Sequence, residues 1–176
     1  MRIEDLMPDP IKIVVMSDTH IDAATEEFRF VCSRYCEEAD MVIHLGDWER
    51  VGVLTYLERY QLEAVAGNMD DYSIKQRLPA QKVVKVGRFR LGITHGWGPP
   101  EGIRKRVSGQ FGQVDAILFG HTHQPMIARE SGLFWLNPGS VFHGRGNCPR
   151  SIGLLKIKDG IEGQIIELDG FTEPQI

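Results

Sequence analysis

The chain is short of cysteine, of long apolar runs and of excess positive charge, and each shortage removes a class of protein. Three cysteines in 176 residues, Cys32, Cys36 and Cys148, are too few and too odd in number for a disulfide scaffold. They fit a reducing compartment, so a cytoplasmic protein is expected. No apolar run approaches the length of a membrane span, and no membrane partner is expected. Residues 1–10 carry acidic side chains and two prolines but no apolar core, which suggests a short N-terminal extension and not a secretion signal. A net charge of −4 gives no broad attraction to duplex phosphate, so stable binding of duplex nucleic acid is not expected. No serine or cysteine stands in a recognisable nucleophile elbow.

What is present is an ordinary globular composition, 42% hydrophobic and 25% charged, sufficient for one domain over residues 11–176. Ile11 to Ser17, Met41 to Leu45 and Leu62 to Ala66 are buried-strand patterns. Helical spacing separates them, from Thr25 to Glu38 and from Val51 to Tyr60. This β-α-β-α-β order predicts a parallel sheet. Beyond Pro79, Lys82 to Val86 and Arg90 to Thr94 suggest a hairpin about Gly87, and a helix is expected to begin near Pro99 and Pro100. A strand from Asp115 to Phe119 follows, then hairpins about Ser131-Gly132 and Asp159-Gly160; the latter is a two-residue type I′ signal. So many strands are best accommodated by an α/β fold in which two sheets pack as a sandwich flanked by helices.

Five strand ends carry ligand-type side chains: Asp18 with His20, Asp47, Asn68, His95, and His121 with His123. Strand carboxyl ends are where sites assemble in α/β sheets, which proposes one shared site. Nitrogen and oxygen donors without thiolate suit divalent transition metals, and seven such residues exceed what one ion needs once water is added. Two residues apart in extended chain, Asp18 and His20, or His121 and His123, can face the same cavity.

The order Asp18-Thr19-His20, Gly46-Asp47, Gly67-Asn68, His95-Gly96 and Gly120-His121-Thr122-His123 resembles the motif series of calcineurin-like metallophosphoesterases, in particular their small bacterial and archaeal phosphodiesterase branch. The resemblance implies two divalent ions, with manganese the expected occupant and iron, nickel, cobalt or zinc as alternatives. It assigns Asp18, His20 and His123 to one ion, Asn68, His95 and His121 to the other, and Asp47 to both. It also implies in-line attack on a small phosphoester by a metal-bridged hydroxide, with Asp47, Asn68 and His95 as catalytic residues. Other uses of the fold remain open: a phosphomonoesterase or nucleotidase, or a non-catalytic scaffold. A homo-oligomer is compatible with the sequence.

One position departs from the pattern. Many relatives place histidine after Gly-Asn, whereas this chain has Met69, whose thioether cannot serve as an acid. His44, inside an apolar strand, is expected to be a hydrogen-bonded core residue, and Asp70 and Asp71 are expected to support turns. Arg104, Lys105 and Arg106 are expected to form a solvated face, and His143 to line the rim of the pocket.

Overall fold

The computed structural model describes residues 9–168. Most of the expected N-terminal extension therefore lies outside the described residues. The first sheet has the order β10-β9-β1-β2-β3. Its strands are β1 (Ile11–Met16), β2 (Met41–His44), β3 (Leu62–Ala64), β9 (Ser151–Ile157) and β10 (Ile161–Glu167). As the alternation of strands and helices predicted, β1, β2 and β3 run parallel, and β9 returns antiparallel to β1. Helices α1 (Glu26–Tyr35), α2 (Val51–Leu57) and α3 (Tyr72–Arg77) belong to this half of the chain.

The second sheet has the order β4-β5-β6-β8-β7, from β4 (Gln81–Val86), β5 (Phe89–Thr94), β6 (Ala116–Phe119), β7 (Met126–Glu130) and β8 (Leu133–Asn137). Its three central strands, β5, β6 and β8, also run parallel. Alternation along the strands sorts the core into layers. Ile13, Val15, Ile43 and Leu45 pack against Leu91, Ile93, Leu118 and Leu136 between the sheets. Val14, Met16 and Val42 join Phe28, Val31, Leu54 and Ile74 of the helices on the first sheet's outer face. Ile117, Phe119 and Trp135 meet Ile103 and Val107 of α4 (Ile103–Ser108) on the other outer face. The layers are thus helix, sheet, sheet, helix.

Three local expectations need correction. The helix placed near Pro99 and Pro100 begins only at Ile103, after Gly102 has turned the chain through a left-handed conformation at φ 73°. The type I′ turn is not at Asp159-Gly160: Ile157 pairs with Ile161 across three loop residues, and neither Asp159 nor Gly160 has positive φ. Ser131 and Gly132 carry that signature instead, at φ 50° and 82°, between paired Glu130 and Leu133. Finally, α3 has no counterpart in the sequence reading. Asp71 starts it by accepting from Ile74 N at 3.1 Å, but only Ile74 is buried, too little for a visible apolar period.

Candidate metal centre

The parallel strands of both sheets end at a common edge, and the chain there leaves extended geometry abruptly. Asp18, His20, Asp47, His121 and His123 all have positive φ, between 48° and 67°. Left-handed backbone costs a non-glycine residue about 1–3 kcal/mol and concentrates at functional sites. Asp and His are among the side chains that tolerate it best. The ligand pairs therefore do not share a direction through strand alternation, as spacing suggested. Sharp turns re-aim each residue separately, and the two histidines of the second pair part company.

Asp18, His20 and His123 form one cluster, and Asp18, Asp47 and His95 another. Asp18 Oδ1 lies 3.1 Å from His123 Nε2, 3.8 Å from His20 Nε2 and 3.9 Å from His95 Nε2. Asp47 Oδ2 lies 3.3 Å from His95 Nε2 and 3.6 Å from His20 Nε2. His121 turns the other way, placing Nδ1 3.1 Å from Asn68 Oδ1. All seven residues expected at the site thus gather at one edge, with both Asp18 and Asp47 close to His20 and His95.

Small residues permit this approach. A Cβ on Gly67 would sit 2.2 Å from Asp47 Oδ1, and one on Gly120 would sit 2.0 Å from Ser17 Oγ. These glycines make room for Asp47 and for Ser17, which supports Asp18. Asp18 is fixed through Oδ2 by Ser17 Oγ at 2.6 Å and His121 N at 3.0 Å, leaving Oδ1 without a hydrogen bond. Asp47 Oδ1 accepts from Met69 N at 2.9 Å, leaving Oδ2 toward the histidines.

The imidazoles are fixed from behind by backbone carbonyls. His95 Nδ1 contacts Leu45 O at 2.8 Å, His121 Nε2 contacts Gly98 O at 3.0 Å, and His123 Nδ1 contacts His143 O. A carbonyl only accepts, so each contacting nitrogen carries the proton and the other turns a lone pair into the site. His95 Nε2 is buried without a hydrogen bond while carboxylate oxygens stand before it. Acceptors facing acceptors need a cation or a proton between them. His44 makes the contrast: its Nδ1 accepts from Gly46 N at 3.2 Å and its Nε2 meets Thr19 Oγ1 at 3.3 Å, so neither nitrogen is open. It is the core histidine the sequence suggested, stacked on Trp48 with ring centroids 3.5 Å apart.

Titration reflects the same arrangement. Burial opposes ionisation of Asp18, but contacts with His123 and His20 outweigh it and hold the carboxyl well below the usual carboxylate range. Asp47 is lowered too, burial being offset mainly by His95. Contact with Asp18 raises His20, whereas burial lowers His121. For His95, burial works downward but Asp47 and Asp18 prevail and raise it.

Several supporting residues were visible only in part from sequence. Asp70 accepts from Gly67 N and Trp48 N at 2.6 Å, Glu49 N at 2.9 Å and Asp47 N at 3.2 Å, tying the Asp47 loop to the Asn68 loop. Beyond β8, Ser140 Oγ donates to Asp18 O at 2.7 Å and Asn137 Nδ2 to Gly120 O at 2.8 Å. The histidine ring of residue 143 stands 5.9 Å from that of His20 by centroids. Arg106 is not part of a solvated face: it donates to Trp97 O at 3.0 Å, to Glu101 O at 2.9 Å and to Pro99 O, stapling the loop that follows His95.

A partly buried, oxygen- and nitrogen-rich cluster at strand ends, with lone pairs converging, forms a candidate site for divalent metal at the edge of an α/β/β/α sandwich. Residues 11–160 match the calcineurin-like phosphoesterase superfamily domain, and the chain belongs to that family. It is 35% identical over 160 residues to a probable metallophosphoesterase of Methanothermobacter thermautotrophicus, covering 88% of this chain and 91% of the relative. It is 33% identical over 105 residues to the phosphodiesterase YfcE of Escherichia coli, covering 54% of this chain and 53% of that protein. A predicted phosphoesterase structure from Streptococcus pneumoniae superposes with a TM-score of 0.75 at 27% identity, covering 95% of both chains. The fold alone is shared with Vps29 from Entamoeba histolytica, solved in complex with zinc, at 22% identity and a TM-score of 0.66 over 89% of this chain and 98% of that one. Among the described residues no helix is long and apolar enough to cross a membrane.

Proposed function

We propose that this metallophosphoesterase is a dinuclear phosphodiesterase. The observation that carries the reading is the fixed tautomer of His95, His121 and His123, each held by a backbone carbonyl with its other nitrogen aimed at carboxylate or carboxamide oxygen. Asp18, His20 and His123 would hold one ion and Asn68, His95 and His121 the other, with Asp47 shared. Borderline divalent ions suit this donor set, manganese foremost, with iron, nickel, cobalt and zinc also accommodated. Such ions, when bound, acidify water, polarise phosphoryl oxygens and offset charge built up during in-line displacement.

The chain's own contribution is positional. Asp47 and Asp18 present oxygens whose ionised state is secured by neighbouring imidazoles. Asp70 fixes the spacing of the Asp47 and Asn68 loops. Met69, 57% exposed beside them, brings no proton to a leaving group. Diesters with good leaving groups therefore suit the site better than alkyl monoesters, which also carry an additional negative charge.

The test is hydrolysis of bis(p-nitrophenyl) phosphate and p-nitrophenyl phosphate by the chelated protein, before and after adding manganese, with bound metal counted. Turnover should depend on metal, favour the diester and saturate near two ions per chain. Binding of metal without turnover would place the protein with scaffolds of the same fold. Preference for the monoester would make it a phosphomonoesterase.

A further inference from the structure

Beside Asn68 and His95 the metal centre opens into a cavity of about 320 Å³, a volume suited to a small organic group. A larger cavity of about 680 Å³ lies by α4, but it is lined by none of the seven candidate ligands. The smaller one is walled by Ala66, Leu78, Ala80 and Trp97; Lys75 lines it, and among the described residues no carboxylate does. Lys75 Nζ is steered toward the site by donating to Asn68 O at 3.0 Å.

Trp97 gives this cavity its character. It is 46% exposed, although burying an indole is strongly favourable and the chain's other tryptophans, Trp48 and Trp135, are at most 5% exposed. Nor is Trp97 on a loose loop. Arg106 holds its carbonyl and those of Pro99 and Glu101, while the next residue, Gly98, presents its carbonyl to His121. An aromatic surface kept open on a pinned loop, in a cavity that also contains His95, is a platform for a flat ring.

We propose that this cavity is a specificity subsite for an aromatic ester arm of the substrate, with its ring against Trp97 and its anionic phosphoryl end at the metal centre. The assignment rests on the reading of that centre as a phosphoester site. It extends that reading to substrate class: esters carrying an aryl group or a nucleobase are selected over those carrying small alkyl groups. A bare phosphate or methyl ester leaves the walls of the cavity unused, whereas a ring covers the exposed indole.

Binding to the zinc-loaded protein distinguishes these cases without turnover. Methylphosphonate, phenylphosphonate and thymidine 5′-phosphate are titrated while the three indole N–H resonances are followed in ¹⁵N-labelled protein. Loss of one resonance in Trp97→Phe assigns it. Ring-bearing ligands should bind about tenfold more tightly than methylphosphonate and shift the Trp97 resonance. Trp97→Ala should bring the ratio toward one, and Trp97→Phe should keep most of it. Tighter binding of the thymidine compound than of phenylphosphonate identifies the ring as a nucleobase; the reverse identifies a simple aryl group. Equal binding of methyl- and phenylphosphonate by the wild type overturns the subsite alone. Failure of every ligand to bind overturns the phosphoester reading with it, whereas a ring preference that survives Trp97→Ala overturns the role of Trp97.

Discussion

Strands β1, β2 and β3 of the first sheet deliver oxygen donors from Asp18, Asp47 and Asn68, whereas β5 and β6 of the second deliver nitrogen donors from His95, His121 and His123; only His20 crosses that division. The supports differ in the same sense. Carboxylates of the first sheet are held by N–H and O–H donors, as Asp18 is by Ser17 and His121 N and Asp47 is by Met69 N. Imidazoles of the second are held by carbonyls. Each side is satisfied at its back and left electron-rich at its front. Neither sheet alone makes the site, and cations between them would join the two halves of the sandwich.

The comparison breaks most severely at the oxygen side. Asp47→Asn removes the negative charge nearest both His95 and His20, and metal charge stabilisation is worth several kcal/mol, so kcat/KM at saturating manganese should fall by about 10³-fold or more. His121→Ala, which touches one edge of the cluster, should cost less. Equal losses in two folded variants would show that Asp47 is not shared.

A smaller effect is expected where only the spacing between loops is altered. In Gly67→Ala the new methyl cannot coexist with Asp47 Oδ1, which would have to move by about 1 Å, a displacement that costs on the order of 10²-fold in rate. Gly160→Ala has no atom within 4 Å of the added methyl and serves as control. If Gly67→Ala matches the control in both turnover and bound metal, the Asp47 position is softer than its packing indicates.

Legibility in the sequence follows the same division between chemistry and geometry. The residues that gather at the strand ends were readable because Asp, Asn and His at successive strand ends are unusual in combination, and the parallel pairing of the first sheet was readable from apolar runs such as Ile13 to Met16 and Met41 to Ile43. The left-handed turns were not, because Asp18 and His20 look like alternating strand positions until the chain is seen to leave the strand at Met16. Ser140 acts on a backbone atom far along the chain, and Arg106 on loop carbonyls a few residues before it, neither of which leaves a periodic pattern. Helix α3 rests on a cap and a single buried isoleucine, below what periodicity can register.

The nitrogen side should reveal itself through protons. In the metal-free chain His20 and His95 have raised pKa values, so their contribution to stability is complete below the ordinary imidazole value of 6.5 and is lost as pH rises through the folded values. Metal must displace those protons, so its affinity should climb with pH through and above that range, by up to about tenfold per unit for each proton released. Calorimetric titration with zinc in buffers of different ionisation enthalpy measures both the affinity and the protons. A pH-independent affinity would sink the idea that these imidazoles bind metal.

The smallest effect belongs to His44, an imidazole of the first sheet that lies behind the ligands instead of among them. Burial depresses its pKa from 6.5 to about 3, and the sign is opposite to that of His20 and His95. The unfolded chain binds a proton there that the folded chain refuses, so the stabilising contribution is present above 6.5 and is lost as pH falls toward 3. This one group can tilt stability by up to about 1.4 kcal/mol per pH unit in that window. Protonation would also convert Nδ1 from an acceptor of Gly46 N–H into a donor facing it, one residue from Asp47. His44→Phe keeps a ring against Trp48 but leaves Gly46 N–H unpaired, at a cost of about 1–3 kcal/mol near neutral pH. Urea unfolding of the metal-free protein between pH 7 and 4 should show a shallower decline in the variant than in the wild type. Parallel declines would mean that acid sensitivity comes from the site-facing groups and that His44 keeps its proton balance unchanged on folding.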